Sequence, residues 1–278
     1  MIVTVEITSR HNPRIQEVRK LKRRKHRLAR RLFLLEGVRS VEEAVDAGAR
    51  VCEVLVTPHL FRCPRGKSLY ERLVARGARV VGVTDEVLAS VSDTETPQGI
   101  VAVVDIPDQE LYLGGNPLVI VADGISDPGN LGTLVRSAAA FGFAGVVLSG
   151  GTVDVYNPKC VRATMGSVFR IPIKELASVV DAISFLKGYG LSVVAADARA
   201  EIPCHAYDFT SPSAILVGNE ARGLSCEALE LCDARVQVPM PGSAESLNVG
   251  AAAAVLMYEM VRQREEAKGR LLQVGETL

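Results

Sequence analysis

Short apolar runs and stretches with apolar residues three or four apart take turns along this chain. The runs 32–35, 51–56, 79–83 and 100–104 read as strands, and the helical spacing over 37–47, 68–76 and 85–91 fills the gaps between them. Asn12 before Pro13 predicts a helix start, and Asp85 is expected to cap the helix that it opens. This alternation argues a compact α/β domain over residues 1–106, closed by a Pro- and Gly-rich linker at 107–117. From 118 the pattern resumes. A buried strand at 118–121 breaks at Asp123-Gly124, passes the turn residues Asp127-Pro128-Gly129-Asn130, and becomes a helix from Leu131 to Gly142, with Asn130 as its candidate cap. Strands at 144–148, 191–195, 214–217 and 234–238 follow, with helices near 158–165, 176–189 and 247–268. Residues 118–278 therefore read as a second α/β domain.

At 278 residues and 48% hydrophobic, the chain is long enough to bury a large core. It has no apolar run of about 18 residues and no apolar leader, so neither a membrane span nor a secretory signal is expected, and the cytoplasm is the default location. Six scattered cysteines form no Cys-x-x-Cys pair and the four histidines do not cluster with them, so neither a metal site nor a disulfide framework is read.

Charge changes the picture more. The net charge is zero, yet the first 31 residues carry 11 basic against 2 acidic side chains, leaving an acidic remainder. Adjacent like charges in Arg19, Lys20, Lys22, Arg23, Arg24 and Lys25 repel, a cost that a polyanion's phosphates would offset. A nucleic acid held at this end is the expectation, over the alternative of an ordinary solvated helix face.

Three clusters in the second domain combine polar groups with tight turns at strand ends. They are Asn130 with Arg136; Gly218-Asn219-Glu220 through Gly223-Leu224; and 238–248, containing Val238, Met240, Ser246, Leu247 and Asn248. Loops at the carboxyl ends of strands are where open α/β sheets bind ligands, so the three are expected to converge on one pocket. Singly, each has a structural reading: Asn130 and Ser246 as caps, Glu220 as an ion-pair partner, Gly218 as a turn residue. No P-loop, dinucleotide fingerprint or nucleophile elbow is present.

Taken together, Asp127-Pro128-Gly129-Asn130-Leu131-Gly132 through Arg136 to Gly142, Val217-Gly218-Asn219-Glu220, and Val238-Pro239-Met240 with Ser246-Leu247-Asn248 resemble the motifs of the SpoU (TrmH-like) branch of the SPOUT RNA methyltransferases. Lys159, Arg162, Gly166 and Phe169 resemble the stretch between the first two motifs, and the N-terminal part resembles, more loosely, the ribosomal-protein-like substrate-binding domain of many members. The second motif departs from the family in having Ala221-Arg222 where a glycine commonly follows the glutamate.

The resemblance implies an α/β SPOUT domain with a parallel sheet and a trefoil knot, and a homodimer with its pocket near the subunit interface. S-adenosylmethionine would be held around Gly218, Val238, Met240 and Leu247, and its methyl group passed to a ribose 2′-hydroxyl of RNA, more in keeping with ribosomal than transfer RNA. Arg136 would serve the attacking hydroxyl, with Asn130, Glu220, Ser246 and Asn248 positioning the ribose and supporting the loops. A guanidinium scarcely deprotonates, so a phosphate clamped by Arg136 is the better proton acceptor. Arg19, Lys22, Arg23, Arg24, Lys25, Lys159 and Arg162 would contact RNA, and no metal is needed because a sulfonium is already an activated leaving group. A non-catalytic RNA-binding protein of the same fold and an enzyme of small phosphorylated metabolites stay open as other readings.

Overall fold

The computed structural model describes residues 5–94, 96–243 and 246–275. The chain divides into two compact units, one of residues 1–108 with Asp154–Arg170 and one of Gln109–Val153 with Ile171–Leu278.

The first unit runs β1 (Val5–Ile7), α1 (Pro13–Lys20), α2 (Arg24–Arg30), β2 (Leu32–Glu36), α3 (Val38–Asp46), β3 (Val51–Val56), α4 (Pro64–Ala75), β4 (Arg79–Val83), α5 (Asp85–Val91) and β5 (Ile100–Asp105). Its five strands form a mixed sheet in the order β1-β4-β3-β5-β2, β5 running antiparallel to both neighbours. Asn12 caps α1 as expected, its Oδ1 accepting from the Arg14 N–H at 2.9 Å. At α5 the cap is Thr84 and not Asp85: the hydroxyl takes the Val87 N–H, and Asp85 falls in the first turn, where its charge faces the helix N-terminus. One face of the sheet packs Leu34, Leu55, Val81, Val101 and Val103 against Ile15 and Val18 of α1 and Val87, Leu88 and Val91 of α5.

The second unit continues with β6 (Leu118–Ala122), α6 (Pro128–Ala140) and β7 (Gly145–Leu148). After α7 (Pro158–Thr164), which packs in the first unit, come β8 (Ile173–Glu175), α8 (Val179–Gly188), β9 (Ser192–Ala196), β10 (Ile202–Pro203), β11 (Ser213–Val217), α9 (Cys226–Leu231), β12 (Ala234–Gln237) and α10 (Val249–Gly275). Seven strands pair in parallel throughout, in the order β10-β12-β9-β11-β6-β7-β8. β6 and β11, adjacent and buried along their whole length, read as unbroken apolar runs because helices cover both faces of such a sheet.

Residues Asp154–Arg170 pack with the first unit rather than with the second, where the sequence reading put them. The cause is visible in single contacts. Arg27 of α2, 3% exposed, donates through Nε to Asp154 Oδ2 at 3.0 Å and through Nη1 to the Leu21 and Lys22 carbonyls at 2.8 Å. The Phe33 ring of β2 lies 5.0 Å from that of Tyr156 and 5.8 Å from that of Phe169. Arg170 pairs with Glu43 of α3 at 2.5 Å.

Candidate active site

At the carboxyl end of the parallel sheet, α6 leaves β6 through a loop whose cap is Asp127. Its Oδ1 accepts from Gly129 N–H at 2.7 Å and Asn130 N–H at 3.0 Å. The sequence reading gave that cap to Asn130; Asp127, one residue before the helix, has the extended backbone a cap needs, and Asn130 sits inside the first turn. The difference frees the Asn130 side chain. Its Nδ2 donates to Glu220 at 2.9 Å, and its Oδ1 accepts from Asn248 Nδ2 at 2.8 Å. Asn248 in turn caps α10, taking the Gly250 N–H at 2.9 Å. One asparagine thus joins the starts of α6 and α10 to the loop after β11.

Glu220 is the hub on that loop. One oxygen accepts from the Ser126 N–H at 3.0 Å and the Ser126 hydroxyl at 2.8 Å, and the other from the Asp127 N–H at 3.1 Å and Asn130. Partial burial raises its pKa, but the hydrogen bonds from Asn130, Ser126 and Asp127 outweigh that and bring it down to about 2. The loop itself is a tight return in which Asn219 and Gly223 exchange backbone hydrogen bonds at 2.9 and 3.2 Å. A Cβ on Gly218 would come within 2.5 Å of the Gly223 carbonyl carbon, so only glycine fits there. Ala221 and Arg222 lie in this return, their N–H groups on Asn219 Oδ1 at 3.0 and 3.1 Å, so the departure from the family motif is accommodated by the backbone.

A cleft of about 470 Å³ opens beside these groups. Asn130, Gly218, Glu220, Val238, Met240, Ser246, Leu247 and Asn248, eight residues singled out in the sequence, all line it. Val217, Val236, Ala252 and Leu256 supply an apolar wall, and Asp197 and Gln237 a polar one. Sequence reasoning missed these last two. Each directly follows or ends a parallel strand, the same signal that picked out Gly218. Ala244 and Glu245 of the third motif lie outside the described residues.

Arg136 stands apart from the other candidate residues. Six residues beyond Asn130 on α6, it is about 9 Å further along the axis and turned well away from it, so it is exposed and does not line the cleft. No hydrogen bond or ion pair reaches it among the described residues.

The expected RNA contacts lie in the first unit. Arg23, Arg24 and Lys25 are exposed around the start of α2, and Lys159 is exposed on α7. Lys22 is engaged internally, by Asp93 at 2.9 Å and the Ser92 carbonyl at 2.6 Å. Arg19 reaches the Arg10 carbonyl at 3.4 Å, and Arg162 lies 3.9 Å from Glu36. Among the described residues no group of three or more His, Cys, Asp or Glu is arranged to hold a metal, and no helix is long and apolar enough to cross a membrane.

Comparison with known proteins decides between the open readings. Residues 117–258 match the SpoU rRNA Methylase family, and residues 12–102 match an MRM3-like substrate binding domain. The chain belongs to the SpoU rRNA methylase family. It is 36% identical to the 23S rRNA (guanosine(2553)-2′-O)-methyltransferase of Bacillus subtilis, over 92% of this chain and 98% of that one. It is 34% identical to the 23S rRNA (uridine(2479)-2′-O)-methyltransferase of Streptomyces viridochromogenes, over 93% and 92%. Among solved structures, the SpoU methyltransferase AviRb from Streptomyces viridochromogenes in complex with AdoMet superposes with a TM-score of 0.81 at 32% identity, covering 91% of this chain and 98% of that one. The SpoU-type parallel sheet and the smaller N-terminal α/β domain are thus those the sequence motifs implied.

Proposed function

We propose that this SpoU-family protein is an S-adenosylmethionine-dependent methyltransferase acting on a ribose 2′-hydroxyl of ribosomal RNA. The observation that carries the reading is the convergence of three separate motifs on one cleft through the hydrogen-bond chain Glu220–Asn130–Asn248. The residues fit the cofactor. The cleft has the size of a small-molecule site, an apolar wall for a base, and at Gly218 a backbone that no side chain screens from a ligand. Gly218, Val238, Met240 and Leu247 are the residues assigned to hold it. When bound, S-adenosylmethionine supplies a methyl group on a positively charged sulfur.

What the chain contributes is orientation and proton handling. In the transfer an oxygen–carbon bond forms, the sulfur–carbon bond breaks, and the hydroxyl proton leaves. Glu220 is an unsuitable base, since each of its oxygens accepts two hydrogen bonds and its pKa is about 2. We assign it to holding Asn130 and the loops, and Ser246 and Asn248 to the ribose. Arg136, exposed and without a partner among the described residues, is assigned to clamp an RNA phosphate that orients the hydroxyl or takes its proton. The exposed side chains Val255 and Tyr258 of α10, with Phe141 6.3 Å ring to ring from Tyr258 at the end of α6, suit the homodimer that the resemblance implies. The trefoil knot belongs to the same proposal. It is supported by an α10 that, coming after β12 in the chain, packs back on α6 and β11. The cytoplasm is the proposed location.

The test is transfer of labelled methyl from S-adenosylmethionine to ribosomal RNA and, separately, transfer RNA from cells lacking the gene. Alkali-resistant label at one position of ribosomal RNA is expected; label in transfer RNA alone, or in neither, overturns the substrate. Arg136→Ala is expected to lower turnover on the order of a hundredfold or more while leaving cofactor affinity unchanged, because the residue lies outside the cleft.

A further inference from the structure

Two carboxylates among the described residues line the cleft, and they differ in what remains open on them. Glu220 has both oxygens engaged by donors of its own chain. Asp197, in the turn that follows β9, is 15% exposed. Its Oδ1 accepts from the Arg199 N–H at 3.0 Å and faces Arg199 Nε at 3.5 Å. No hydrogen bond reaches its second oxygen among the described residues. A charged acceptor on a cleft wall, held in place through one oxygen and open at the other, is placed to receive a ligand's donors.

Its position in the sheet says which donors. The order β12-β9-β11-β6 puts Asp197 between the ends of β12 and β11. Asn130 lies on the helix that follows β6, two strands from β9. The Asp197 N–H bonds the Val236 carbonyl at 3.0 Å, so the carboxylate adjoins the apolar wall of Val236, Val217 and Leu256, at the end of the strand beside the one that leads into Gly218. A purine belongs on that apolar wall. The sugar bonded to it would bring two adjacent hydroxyls to the neighbouring carboxylate.

We propose that Asp197 accepts the ribose hydroxyls of the adenosyl group and thereby fixes the nucleoside end of the cofactor. This rests on the cofactor reading above. Asp197→Asn keeps the oxygen that the turn uses and replaces the free one by an amide, so the variant is expected to fold.

Calorimetric titration with S-adenosylhomocysteine and with its 2′,3′-dideoxy analogue is the experiment. Wild-type protein is expected to bind the dideoxy analogue about tenfold or more weakly, Asp197→Asn to bind S-adenosylhomocysteine weaker by a similar factor, and the variant to discriminate little between the two. Asp197→Ala serves as the second variant, with the same expectation. Wild-type protein that does not distinguish the two ligands overturns the assignment without recourse to any variant, as does a variant that keeps the wild-type discrimination. Wild-type protein that binds neither ligand removes the cofactor reading itself.

Discussion

Glu220 has both carboxylate oxygens committed to donors of its own chain. Four donors converge on its carboxylate, and its pKa of about 2 is below the ordinary value of 4.5. Because the folded value is the lower one, the junction's contribution to stability is complete above about pH 4.5 and fades as pH falls toward about 2. A carbon-detected NMR titration of the glutamate carboxyls is expected to find Glu220 still ionised at pH 3.5. A midpoint near 4.5 would mean the loops are not locked by it. Glu220→Gln turns one half of the acceptor into a donor facing donors, so turnover is expected to fall about tenfold or more and the variant to unfold at lower urea than the wild type at about pH 7.

Among the elements, the clearest case is α2, which carries much of the basic charge of the N-terminal segment and yet buries one of its charges. Arg27 and Asp154 are both under a tenth exposed, and the pair attaches Asp154–Arg170 to the first unit. Removing one partner leaves an uncompensated buried charge. Arg27→Ala is expected to cost about 3–5 kcal/mol in urea unfolding, and the double variant Arg27→Met, Asp154→Leu far less, because neither charge then remains. Equal losses for single and double variants would show that the pair contributes only packing.

At the same scale the sequence is readable where periodicity is strong and silent where long-range contacts decide. The apolar runs of β6, β9 and β11 were legible because parallel strands buried on both faces show little polar interruption. The short strands β1, β8 and β10 were not, at two or three residues each. Nor was the separation of α2 from α1, since a dense basic run masks helical periodicity. The convergence of Asn130, Gly218, Glu220, Val238, Met240, Ser246, Leu247 and Asn248 on one cleft follows from their shared place at strand ends. The aim of Arg136, however, depends on helix phase, and the burial of Arg27 depends on a residue 127 positions away.

Over the whole molecule, the charge asymmetry of the sequence survives in the structure in thinner form. Lys22 is paired with Asp93, Arg14 with Glu53, Lys20 and Arg30 with Glu17, and Arg27 is buried. Arg23 and Lys25 of the α2 region, like Arg10 before α1, remain exposed with no ion pair among the described residues, so a phosphate meets no internal competitor there. Each phosphate neutralised contributes about 0.7–0.9 to the slope of log affinity against log salt. Arg23→Ala with Lys25→Ala is therefore expected to flatten that slope for ribosomal RNA by about 1.5, raising KM and leaving kcat in place, since neither residue lines the cleft. Lys22→Ala should change it less, because a phosphate there has to displace Asp93. An unchanged slope in the double variant would move the RNA footprint off α2, and a fall in kcat at saturating RNA would mean that these two charges orient the substrate as well as retain it.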